Sequence, residues 1–145
     1  MGELANVAQV PPAEVKAVVE HFRQEGCNFL TSPDRELTDD SVIDISHESL
    51  IRRWKPLNEW ATDEFAWGEW YRRLEDRISI GVRYIVDPEL ESALQAREKG
   101  RWNEAWAERY RTEKDGAKWP YGEVIRFLEK SKQRHECPRH AVQGL

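Results

Sequence analysis

His47 is the side chain in this sequence whose surroundings most suggest chemistry. It stands inside Val42-Ile-Asp-Ile-Ser-His-Glu-Ser-Leu-Ile-Arg-Arg-Trp54. A short β-branched, alternating segment stops at Ser46, and a helical pattern starts directly behind His47. That order sets an imidazole beside the unpaired N–H groups of a helix N-terminus, where it can hold an anion or cap the corner. Arg52 and Arg53 follow within the same pattern, and a second pair, Arg72 and Arg73, lies further on. Paired arginines can hold phosphate or an acidic partner. They more often form a solvated helix face, and Arg72 and Arg73 have Glu69, Glu75 and Asp76 within about a turn.

Other chemistries fail on spacing. His47-Glu48 opens like a zinc-protease helix, but the fourth residue after His47 is Ile51 rather than histidine. His135, Cys137 and His140 have soft-ligand spacing, yet they lack a fourth ligand and sit in a polar tail. No glycine-rich phosphate loop occurs, and no Cys/His or Ser/His/Asp grouping is visible. We therefore expect no catalysis, no cofactor and no metal. Among the tryptophans, Trp67 and Trp70 fall on an apolar stripe and read as core. Trp60, Trp102 and Trp119 are the candidates for exposure, and with Arg52 and Arg53 they make a candidate interaction surface.

The elements that must position these groups are constrained by composition. At 145 residues the chain is one domain, or two small ones sharing a core. Seven Trp, four Tyr and four Phe supply large buried areas despite a hydrophobic content of 39%. A net charge of −5 argues against broad nucleic-acid binding, which needs a basic face to displace counterions. No apolar run reaches membrane-spanning length, no signal peptide is visible, and two cysteines make no disulfide framework. A cytoplasmic domain with free thiols is the expectation.

Along the chain, residues 3–9 suit a short helix, and Val15, Val18, Val19 and Phe22 form an amphipathic stripe that Gly26 ends. Residues 27–31 and 42–45 read as strands around a polar loop at 32–41. Helix, strand, loop and strand describe the second half of a winged helix. Behind Ser46 the pattern is helical throughout. Pro56 must kink or restart it, and Trp67, Trp70, Tyr71, Leu74 and Ile78 make its cleanest stripe. Asp87-Pro88 opens a helix that Gly100 ends, and Asn103 caps another. A last helix covers 121–132, with the tail fraying from Arg134.

The stretch from Val15 to Trp60, centred on the His47 run, resembles the winged-helix arm of bacterial STAND-type signalling NTPases. Arg72-Arg-Leu74, Asp87-Pro-Glu-Leu90, Asn103-Glu-Ala-Trp-Ala-Glu-Arg-Tyr110 and Phe127-Leu-Glu-Lys-Ser131 resemble the helical connector that follows it. The resemblance covers residues about 4–132. It implies that His47, at the corner where the wider NACHT and NB-ARC class contacts the β-phosphate of ADP, meets that phosphate only within a complete NTPase. The P-loop and magnesium-binding acids of that class are missing from these residues, and so is the first helix of a full winged helix unless residues 1–9 supply a remnant. Such a loss uncovers part of the Val15 stripe, to be covered by downstream helices or by a second copy in a homodimer.

The expected fold is mainly α with a small two-stranded β-wing: a truncated winged-helix-like segment at 1–62, a helical bundle at 63–132 and a flexible tail at 133–145. The expected function is a non-catalytic regulatory and protein-interaction module in signal transduction, either part of a larger NTPase or a free-standing remnant of one. Its partners are then proteins, with no membrane and no nucleic acid. The alternative is a winged-helix DNA-binding regulator. It is disfavoured because the outward residues of the 12–25 helix, Glu14, Lys16, Glu20, His21, Arg23, Gln24 and Glu25, carry more strong acids than strong bases. A small enzyme pairing His47 with Asp44 or Glu48 ranks last.

Overall fold

The computed structural model describes residues 1–110 and 119–137. It is mainly helical with one two-stranded antiparallel sheet, in agreement with the expected class. The chain divides into two compact units, Met1–Thr62 and Asp63–Leu145.

In the first unit, α1 (Gly2–Ala8) buries Ala5 and packs on α2 (Pro12–Arg23). Residues 1–9 thus do supply a short helix ahead of the amphipathic one. Pro12 enters α2 in its first turn, where a missing N–H costs nothing. Of the predicted stripe, Val19 is buried, Val15 and Phe22 are half-buried, and Val18 is 56% exposed. The chain then turns through Gly26 (φ 95°) and Asn28 (φ 49°), left-handed conformations that glycine and asparagine tolerate best. β1 (Leu30–Thr31) and β2 (Asp44–Ile45) pair Leu30 with Ile45 and Thr31 with Asp44. Both strands are shorter than expected. The loop joining them is held by Ser41, whose buried Oγ accepts the Thr38 N–H at 2.8 Å, and by the buried Leu37.

α3 (Glu48–Arg53) follows, and Trp54 separates it from α4 (Lys55–Ser79). Pro56 therefore restarts the helix. It occupies the first turn of α4, while the Trp54 N–H bonds Leu50 O and the Trp54 carbonyl accepts from Asn58.

In the second unit the remainder of α4 is joined by α5 (Glu89–Gly100), α6 (Glu104–Glu108) and α7 (Tyr121–Glu136). Tyr71, Leu74, Leu90, Ala93, Trp106, Val124 and Leu128 form a core at most 2% exposed. α6 is capped as expected, with Asn103 Oδ1 accepting the Trp106 N–H at 2.9 Å. The end of α5 differs from expectation. Gly100 stays helical, and Arg101 takes the left-handed position at φ 47°. A Cβ on Gly100 would lie 2.9 Å from the Trp102 indole Nε1, so glycine is needed there for close packing rather than for φ. α7 also runs past its expected end at 132. Arg134 lies over the Tyr84 ring at 4.0 Å, His135 pairs with Asp87 at 3.3 Å, and the Arg134 cation suits a helix C-terminus. No helix of the described residues is long and apolar enough to cross a membrane.

Candidate functional site

His47 sits on the residue ahead of α3, exposed, with its carbonyl accepting the Leu50 N–H at 3.0 Å. What brings it to a cleft is the turn after α2. The Phe29 N–H bonds Phe22 O at 2.9 Å, which folds residues 27–29 back along the end of α2. The Ser46 N–H then bonds Phe29 O at 3.0 Å, and the Ser46 hydroxyl donates to Asn28 O. These bonds tie the corner ahead of His47 to the loop behind Cys27. The result is an open cleft of about 470 Å³, lined by Cys27, Asn28, Phe29, Ser46, His47, Leu50 and Arg53. Phe29 and Leu50 supply apolar wall, and Arg53 supplies a fixed positive charge.

Among the described residues, no carboxylate lines this cleft. The two acids nearest His47 in sequence are engaged elsewhere: Asp44 Oδ1 accepts the Ile45 N–H at 2.7 Å, and Glu48 pairs with Arg52 at 3.2 Å. With His47 and Arg53 on its lining, the cleft offers donors and positive charge, which suits an anion.

Of the other predicted surface residues, Trp60 and Arg52 belong to the first unit but do not line this cleft, and Trp102 and Trp119 belong to the second unit. Trp60 is 58% exposed and meets Trp54 edge to face at 5.6 Å, so a small aromatic surface does form in the first unit. Arg52 is exposed and bonded to Glu48. Trp119 is half-buried, with its Nε1 donating to Ser79 Oγ at 2.9 Å. Trp102 as an exposed contact is corrected. It is 7% exposed, stacked on Trp106 at 5.3 Å and edge-on to Tyr71 at the same distance. Residues far apart in sequence close over it, so no local pattern could signal its burial. Arg73 lies over Trp70 at 4.5 Å, and Arg72 bonds Glu69 at 2.6 Å.

Sequence reasoning missed Cys27 as a neighbour of His47, and it missed Glu64. Glu64 Oε1 accepts from Trp106 Nε1 at 2.7 Å and from the Tyr110 hydroxyl at 2.5 Å. Burial first, then the hydrogen bond to Glu64 and its negative charge, push the Tyr110 phenol well above its ordinary range. Burial likewise raises Tyr121. Among the described residues, no group of three or more His, Cys, Asp or Glu could hold a metal ion. Of the tail trio, His135 pairs with Asp87 and Cys137 is exposed, while His140 lies outside the described residues.

The family model described as Novel STAND NTPase 1 matches residues 2–79, which include the whole cleft. No curated protein and no solved structure matches the chain. The match extends over more than half of the sequence and holds the His47 corner, the sheet and α4, so the chain belongs to the Novel STAND NTPase 1 family.

Proposed function

We propose that the chain is a non-catalytic regulatory module, a winged-helix arm followed by a helical connector, acting through protein contacts in the bacterial cytoplasm. In a complete STAND-type NTPase it passes the nucleotide state from an ATPase module to a sensor. The observation that carries this reading is the cleft lined by His47 and Arg53 within the family-matched span. An imidazole and a guanidinium beside an apolar wall can donate to a phosphate oxygen that the ATPase module presents. The exposed Val18 on α2 and the Trp54–Trp60 pair supply apolar surface for the ATPase module or for a second copy.

Two measurements test the proposal. The purified chain, incubated with magnesium and ATP, should release no phosphate above background; turnover by the chain alone overturns the non-catalytic reading. Joined to the P-loop module of a family member, it should retain ADP. His47→Ala and Arg53→Ala should then each speed ADP release by about tenfold or more, the worth of one charge-assisted hydrogen bond. Unchanged release in both variants removes the phosphate role. Light scattering tests the homodimer directly, since a monomer at high concentration eliminates it. Salt-sensitive binding to duplex DNA, abolished by charge reversal at Lys16 and Arg23, would instead favour the DNA-binding alternative.

A further inference from the structure

We propose that the Trp54–Trp60 face is a docking surface for a second copy of this chain, and that it seats the acidic loop between β1 and β2. The proposal rests on the homodimer reading above and names the two surfaces that meet.

The face combines apolar groups with positive charge. Trp54 and Trp60 stand edge to face at 5.6 Å, and both are exposed, as is Ile51. Residues 51–60 carry three bases, Arg52, Arg53 and Lys55, against one acid, Glu59. Arg52 and Lys55 pair with Glu48 and Glu59 one turn away, at 3.2 and 3.7 Å, on side chains more than half exposed. Exposed pairs of this kind contribute little, so they yield readily to a better partner. Tryptophan beside arginine is also the composition that anchors protein interfaces.

The complement lies on the same unit. Residues 34–44 carry five acids and one base, Arg35. Asp34, Glu36, Asp39 and Asp40 are exposed, and among the described residues none of these four is in an ion pair. The loop is held in place from beneath. Leu37 and Ser41 are buried, the Ser41 N–H bonds Thr38 O at 3.1 Å, and the Gly2 N–H bonds Asp39 O at 2.8 Å. Little ordering cost therefore remains for docking. Val42, which follows the acids, is 67% exposed and offers the indoles an apolar contact. Every copy presents both the face and the loop, so a two-fold pair makes the contact twice. A partner of other chemistry would use one of these surfaces; a second copy uses both.

The sign of the salt dependence tests this. Two chains of net charge −5 repel, so dimerisation through apolar surface alone tightens as salt screens the repulsion. Docking of the acidic loop on the bases weakens instead. Sedimentation of the full chain should give a dimer dissociation constant that rises about tenfold or more between about 0.05 and 0.5 M salt. Arg52→Glu with Lys55→Glu, and separately Asp39→Lys with Asp40→Lys, should each leave the chain monomeric where the wild type is dimeric. Mixing the two variants should restore a dimer, because both contacts regain opposite charges, and a misfolded variant could not do this. A chain that is monomeric under all these conditions removes the homodimer and this inference together. A dimer that tightens with salt, one that survives both charge reversals, or a mixture that stays monomeric overturns the inference alone.

Discussion

The Tyr110 hydroxyl ties a hydrogen bond, a carboxylate and a packed indole together in the second unit. Its O–H donates to a carboxylate that also accepts from Trp106, and its ring lies 4.5 Å from the Trp106 indole. Tyr110→Phe keeps the ring and deletes the donor. We expect a loss of about 1–3 kcal/mol, the worth of a hydrogen bond to a charged acceptor, measured by urea unfolding. The same bond sets an alkaline limit. In the unfolded chain the phenol ionises near its ordinary value of 10.0, whereas in the folded chain its pKa is raised by burial and by Glu64. The raised value stabilises the fold in full below pH 10, and that contribution falls away as pH climbs towards the folded-state value. Wild-type stability should therefore decline above pH 10 more steeply than that of Tyr110→Phe, and parallel declines would show that Tyr110 does not set the limit.

Helix α4 shows how one element accommodates such a ring. Gly68 lies inside it, at a cost of about 1 kcal/mol relative to alanine. A Cβ there would sit 2.2 Å from Tyr110 Cε1, so the helix accepts the weaker residue to let the ring approach. Gly68→Ala should thus destabilise by about 1–2 kcal/mol, overpacking outweighing the gain in helix propensity. In a Tyr110→Ala background the same change should be neutral or stabilising. A double-mutant cycle with no coupling would break the argument. Elements of this kind also mark how far the sequence could be read. The α2 stripe, the restart at Pro56 and the Asn103 cap were legible because their causes lie within a few residues. The helical role of Gly100, the burial of Trp102 and the Glu64 hub were not, since each depends on a side chain brought in by tertiary packing. The candidate site was half legible: the strand-to-helix corner announced His47, but Cys27 reaches the same cleft only through bonds spanning 18 residues.

At the scale of the whole molecule the two units differ in kind. The second owns an aromatic core and carries sixteen acids and sixteen bases, whereas the first carries the whole net charge of −5 and buries only Ala5, Val19 and Leu37 among its described apolar side chains. Apolar burial is the main favourable term in folding, so the first unit should open at lower free energy. Native-state hydrogen exchange should find the amides of α1, α2 and the sheet exchanging before those of α5 and α7, and equal protection would contradict this. The tryptophans turn that difference into something visible. Trp54 and Trp60 are solvent-facing reporters of the first unit, and the stacked pair Trp102 and Trp106 is a shielded reporter of the second. A soluble quencher should dim the first pair well before it reaches the second, so these two pairs mark the accessible and the shielded extremes of the protein's tryptophan emission.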